Sequence, residues 1–319
     1  MRIKKGHIIS FLISAILLIF LFSRVDFGKV FDILKTANLF LFLTAVCLTI
    51  FRLSIEPLRW KVLLDAYKIK VRLFDVFSSF LASIFVANAT PARLGDASRP
   101  YFLKRRYKTS FFNVLPAILV ERALDLIVLL SYSALFLALF SSMVSPILMA
   151  VLLLTFLIIA LMVLVFFNRR LSNALINVFF RFFSFIGYVS KLKPRVKKFI
   201  NKFYEGTNIL KSANFPAIVL ITAFVWFIEA LTLFTVASSL GVSLPLLLCL
   251  GFTSLAVLGG TVSSLPGGLG STEIILFGFL VLSGFSEPIS LSITLLHRFS
   301  TFGICILFTS IFFIREVKS

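Results

Sequence analysis

The chain has 319 residues, 60% of them hydrophobic and 40 of them Phe, with a mean hydropathy of +1.07 and a formal net charge of +19. Such hydropathy excludes a water-soluble globular domain and calls for spanning helices, each needing roughly 18–25 apolar residues. The basic residues sit in short blocks between apolar runs, not in one basic domain; this argues against a nucleic-acid partner and follows the positive-inside pattern of membrane loops.

In chain order, the first apolar run, Ile8 to Phe22, follows Arg2, Lys4 and Lys5 and precedes Arg24 and Asp26. It lacks a small-x-small cleavage site, so it reads as an uncleaved helix rather than a signal peptide. Six long apolar runs are expected to span: about 7–23, 39–57, 112–140, 146–167, 215–240 and 288–314. Two further regions are short or broken: 75–90, which ends in Asn88-Ala89-Thr90-Pro91, and 246–284, which is split by Leu265-Pro266-Gly267-Gly268-Leu269-Gly270. Cys47, Cys249 and Cys305 all fall in apolar runs without CxxC spacing, so no metal site, disulfide framework or cofactor is indicated.

Charge sets the orientation. With the N-terminus inside, segments 1–6, 58–74, 91–110, 168–214 and 315–319 are cytoplasmic and hold 26 of the 32 Lys and Arg. Both termini are then cytoplasmic, in a multi-pass membrane protein. Region 75–90 is flanked by basic loops on both sides, so it is expected to enter and leave on the cytoplasmic face as a re-entrant hairpin. Region 246–284 begins and ends outside, and either a re-entrant hairpin or two spans satisfies that count.

The breaks share Pro-x-x-Leu-Gly: Pro91, Leu94 and Gly95 in one, Pro266, Leu269 and Gly270 in the other. Backbone freed by Pro or Gly at membrane depth is tolerated where it is buried in protein or lines a wet cavity. Paired breaks in corresponding places point to the binding site of a transporter built from repeats. The offset is 175 from Pro91 to Pro266, 176 from Arg122 to Arg298 and 173 from Glu56 to Glu229. The expected architecture is therefore an all-α integral membrane protein in one transmembrane domain, 1–319. It has about six spans plus two re-entrant or broken helical hairpins, arranged as an inverted-topology repeat of 1–145 and 146–319. Segment 168–214 is basic with interleaved aromatics, which suits an amphipathic helix on the anionic leaflet or a solvated basic loop.

Ionisable groups inside a membrane cost several kcal/mol unless paired or wet. Glu121 and Asp125, four apart, share a helix face, and Arg122 and Asp125, three apart, can pair. They read either as an internal ion pair or as the lining of a central cavity with Arg122 facing a phosphate. Arg93, Asp96 and Arg99 follow the first break, and Arg93 and Arg99 offer bidentate guanidinium geometry to a phosphodiester. Asn88 and Thr90 are placed to satisfy the broken backbone. Gly267, Gly268 and Gly270 allow close backbone approach, and the amides of the limb opening at Ser271 favour an anion. Glu273 in that first turn serves the helix dipole or a cationic headgroup. Arg298 lies within the last apolar run, and its neighbour His297 reads as a core residue. Arg52 and Glu56, four apart, form a structural salt bridge; Glu229 needs a partner, for which Arg298 or Arg122 would serve. No covalent catalytic constellation is present in the sequence.

Taken together, Asn88 to Arg99, Glu121-Arg122-Ala-Leu-Asp125, Leu265 to Glu273 and Arg298 resemble the transmembrane flippase region of lysylphosphatidylglycerol synthases, shared by stand-alone flippase-like membrane proteins. The resemblance covers nearly the whole chain; Asp96 stands where the family often has Glu. It implies an integral plasma-membrane protein that moves lipid between leaflets, with membrane lipids of anionic or lipid-phosphate type as partners. A homo-oligomer or a partner synthase or glycosyltransferase is compatible with it. The chain stops at Ser319 without the aminoacyl-transferase domain of the fused synthases, so lipid aminoacylation is not expected. The alternatives are a membrane enzyme or accessory subunit handling a polyprenyl-phosphate sugar, with Glu121 or Asp125 as base, and a scaffold whose charges only pair with each other.

Overall fold

The computed structural model describes residues 5–23, 25–107, 109–140, 146–182, 204 and 215–318. These are helical, with no strand among them. In chain order the helices are α1 (Lys5–Ser23), α2 (Phe27–Lys35), α3 (Leu39–Ala66), α4 (Leu73–Asn88), a 3-10 turn (Pro91–Ser98), α5 (Arg99–Tyr107), α6 (Phe111–Leu139), α7 (Pro146–Phe167) and α8 (Arg169–Phe182). Then follow α9 (Phe215–Ser239), α10 (Leu246–Val262), a turn at Pro266–Gly268, α11 (Ser271–Leu282), α12 (Glu287–Arg298), a π-helical turn (Phe299–Gly303) and α13 (Ile304–Lys318).

Among the described residues, three helices are long and apolar enough to cross a membrane: Leu39–Ala66, Phe215–Ser239 and the continuous Glu287–Lys318. The protein is membrane-embedded on that basis. Helix α6 has 29 residues, about 44 Å at 1.5 Å per residue, but carries Glu121, Arg122 and Asp125 in its middle.

Local chemistry sets the element ends. The Asp26 carboxylate accepts from the Gly28 amide at 2.9 Å and starts α2, a short helix between the first two apolar runs. The Asn38 side chain caps α3 through the Leu41 amide at 3.2 Å. Helix α3 then continues to Ala66, nine residues past the end expected at 57. Its extra turns are kept because Arg59 finds buried carboxylates, so a charge that looks like a membrane exit is carried inside.

Both Pro/Gly stretches break the helical path. The first folds α4 back through the 3-10 turn into α5, so the hairpin is longer than 75–90 and its return limb reaches Tyr107. Segment 99–107 is correspondingly not the open cytoplasmic loop expected for 91–110: Arg99, Pro100, Phe102 and Leu103 are buried. The second hairpin runs from α10 through Pro266–Gly268 into α11.

Helix α3 packs along α9, α4 packs on α13, and α6 packs on α10; the two break turns pack on each other. Two of the resulting apolar cores bracket the charges along α3 and α9. One gathers Trp60, Leu63 and Phe80 with Val114 to Leu124 of α6. The other gathers Phe136, Leu233, Phe252 and Phe279, whose rings stack or meet edge-on at 5.3–5.9 Å.

Helix α8 exposes Leu171, Leu175 and Val178 on one face, beside Arg169, Arg170 and Arg181. Residues 183–203 and 205–214 of the expected amphipathic segment lie outside the described residues.

Candidate functional site

The first cluster is built on α3, the first hairpin and α6. Arg59, 1% exposed, donates from Nη1 to Asp125 Oδ1 at 2.6 Å and to Thr222 Oγ1 at 3.1 Å, and its Nη2 lies 3.1 Å from Glu121 Oε1. Trp226 Nε1 also donates to Asp125 Oδ1, at 3.1 Å. Arg99, fully buried, donates to Glu121 Oε2 at 2.7 Å, Asp96 Oδ1 at 3.1 Å and Ser83 Oγ at 2.9 Å. Its guanidinium lies over the Phe80 ring at 4.1 Å and the Trp60 ring at 5.2 Å, a cation–π seat that suits a weakly hydrated planar cation. Arg122 reaches Glu121 Oε1 (2.7 Å), Asp125 Oδ2 (3.1 Å) and Asp96 Oδ2 (3.4 Å). Arg93, with φ of +53°, is held only loosely, its Nε 3.8 Å from Asp96 Oδ2.

The first break is tied down from within. Thr90 Oγ1 accepts the Gly95 amide at 2.7 Å and donates to the Val86 carbonyl at 3.0 Å. Gly95 packs directly on α4: a Cβ there would sit 2.3 Å from the Ala87 nitrogen and the Val86 carbonyl carbon. Asn88 points the other way, its Nδ2 3.6 Å from Cys305 Sγ.

The second cluster joins α3, α9 and α12. Arg52 Nη1 donates to Glu56 Oε1 at 2.6 Å, and Arg52 Nε lies 3.2 Å from Glu229 Oε2. Glu229 is thus partnered by Arg52, not by Arg298 or Arg122, because α3 and α9 pack side by side. His297 Nε2 stands 3.9 Å from Glu229 Oε1, and neither ring nitrogen makes a hydrogen bond. Arg298 donates to Glu273 Oε1 at 2.7 Å and to the Gly267 carbonyl at 3.0 Å. Gly267 turns with φ of +59°, and a Cβ there would strike the Phe302 ring at 2.3 Å. In the π-helical turn after Arg298 the Ser300 and Thr301 hydroxyls donate to the His297 carbonyl, back-bonding of the kind that bends a helix.

These clusters surround one cavity of about 450 Å³. Arg52, Glu56, Asn88, Arg93, Asp96, Arg122, Asp125, Glu229, Gly267, Gly268 and Arg298 line it, along with Thr272, Thr301 and Cys305. Of the residues singled out in the sequence, Arg99, Glu121 and Glu273 do not line it. Arg99 and Glu121 are buried behind its wall and hold Asp96 and Arg122 in place. Glu273 accepts from the Gly270 amide at 2.7 Å and from Arg298. The Glu273 carboxylate thus closes back on the N-cap amide of α11, where a negative charge also suits the helix dipole. Pro91, Gly95, Pro266 and Gly270 shape the two turns without lining the cavity.

Arg59 escaped the sequence reading, which placed it in a cytoplasmic loop. The signal was there: 52, 56 and 59 share one helical face, so a buried Arg52–Glu56 pair carries Arg59 inward as well. Among the described residues no group of three or more His, Cys, Asp or Glu could hold a metal ion.

The comparisons with known proteins point to one family of membrane proteins. The chain is similar to a UPF0104 membrane protein of Methanothermobacter thermautotrophicus, 24% identical over 294 residues covering 86% of this chain and 85% of that one. A UPF0104 membrane protein of Pyrococcus horikoshii is 23% identical over 330 residues, covering 99% and 98%. The family model described as the lysylphosphatidylglycerol synthase TM region matches residues 7–308, so the chain belongs to that family.

Proposed function

We propose that the protein passes a lipid headgroup between leaflets through the charged cavity, while the acyl chains stay in the bilayer. The observation that carries this is a polar chamber inside a membrane protein, bordered by both broken hairpins and lined by Arg93, Arg122 and Arg298. Such a chamber has no structural use in lipid, where an apolar core serves as well; intramembrane ionisable groups mark substrate pathways. In this reading six helices span, both hairpins are re-entrant and the halves are inverted repeats. The helix pairing supports it: α4 of the first half packs on α13 of the second, and α10 of the second packs on α6 of the first. Helices α3 and α9 meet at the centre. The apolar face of α8 lies on the cytoplasmic leaflet of the plasma membrane, with both termini on that side.

The test is lipid movement in vesicles carrying the purified protein, read with a quencher confined to the outside. Wild-type protein is expected to expose labelled inner-leaflet phospholipid rapidly, and Arg122→Ala and Arg298→Ala to slow this at least about tenfold. Movement at wild-type rate in both folded variants would remove the cavity from the path.

A further inference from the structure

The charges around the cavity fall into three connected groups, and two of them do not balance. Arg59, Arg93, Arg99 and Arg122 are joined to Asp96, Glu121 and Asp125, leaving one formal positive charge over. Arg52 is joined to Glu56 and Glu229, leaving one formal negative charge over, with His297 beside Glu229. Arg298 and Glu273 balance each other. Both unbalanced groups open on the same cavity, the first through Arg93, Asp96, Arg122 and Asp125, the second through Arg52, Glu56 and Glu229.

Each pole also has unused hydrogen-bonding capacity. Arg93 Nε, Arg122 Nε and Asp96 Oδ2 at the positive pole are buried without a hydrogen bond, as are Glu229 Oε2 and Arg52 Nε at the negative pole. They face each other across ion contacts of 3.2–3.8 Å. These longer contacts are ion pairs without hydrogen bonds, so each pole is held less tightly there than by the 2.6–2.7 Å pairs beside it.

We propose that the cavity selects a zwitterionic phospholipid headgroup, with a phosphodiester monoanion at Arg93 and Arg122 and an ammonium at Glu56 and Glu229. This rests on the lipid-translocation reading and names its substrate class. A purely anionic headgroup meets the positive pole but leaves the Glu56–Glu229 surplus uncompensated, and a purely cationic one does the reverse. A zwitterion compensates both at once, and an uncompensated charge at membrane depth is costly.

Binding is measured on the purified full chain in detergent, offered equimolar phosphatidylethanolamine, phosphatidylglycerol and a dialkyl trimethylammonium lipid, with retained lipid read by native mass spectrometry. Wild type is expected to retain the zwitterion at least about fivefold over either other lipid. Glu229→Gln turns the surplus positive and is expected to shift preference toward phosphatidylglycerol. Arg93→Gln turns it negative and is expected to shift preference toward the cationic lipid. Glu56→Gln removes the same charge as Glu229→Gln and serves in its place if that variant does not fold. Equal retention of all three lipids, or both charge variants shifting the same way, would overturn the proposal. Displacement by soluble phosphoethanolamine at equal concentration would overturn its lipid part. If no lipid moves in vesicles while binding stays selective, translocation fails and the headgroup assignment stands; equal movement and equal retention of all three would do the opposite.

Discussion

Arg99 and Arg93 sit six residues apart in one broken hairpin and have opposite tasks. Arg99 is fully buried, bonded to Glu121, Asp96 and Ser83 and seated on Phe80. Removing one partner of such a pair leaves the others charged and buried, which costs about 3–5 kcal/mol. Arg99→Ala is therefore expected to lower the thermal unfolding temperature sharply and to reduce the folded yield in detergent. Arg93 is a third exposed at its side chain, and its one ion contact among the described residues is with Asp96, at 3.8 Å, so Arg93→Gln is expected to unfold close to wild type. Similar unfolding temperatures for the two variants would contradict this division between scaffold and ligand-facing arginine.

At the scale of the element, the first break depends on Gly95 lying against the backbone of α4. A Cβ 2.3 Å from the Ala87 nitrogen meets atoms that no rotamer can move, so the 3-10 turn must shift away. Overpacking of this kind costs about 1–3 kcal/mol. Gly95→Ala is expected to unfold at lower temperature and to show faster protease cleavage between Asn88 and Arg99; unchanged protection there would mean the turn is not wedged on α4. The positions of both breaks were legible in the sequence, because the backbone limits of Pro and Gly act locally. The extent of α3 and of the first hairpin was not. Arg59 and Arg99 look like loop charges on any local hydropathy scale, and only carboxylates far along the chain make them core residues: Glu121 and Asp125 for Arg59, Glu121 again for Arg99. The partner of Glu229 was hidden for the same reason. Arg52 was visible as a partner of Glu56, four residues on, but its second contact exists only once α3 lies along α9.

For the whole molecule, the charged chamber lies among apolar cores, with Leu53, Ile84 and Ile118 of one and Leu129 and Trp226 of another in its wall. Each hairpin is braced by the long helix of the opposite half, so the two break turns meet at the cavity wall. In the proposed function a headgroup would pass Asn88, Cys305 and the guanidiniums that line this cavity. Cys305 provides a native handle on that route, since its thiol lines the cavity and lies beside Asn88. The most direct measurement is lipid movement in vesicles before and after Cys305 is modified by a bulky, hydrophilic thiol reagent, in a chain carrying Cys47→Ser and Cys249→Ser. The account predicts that modification stops movement and that excess substrate lipid slows the modification. Undiminished movement with Cys305 fully modified would contradict it, because the headgroup would then be crossing somewhere else.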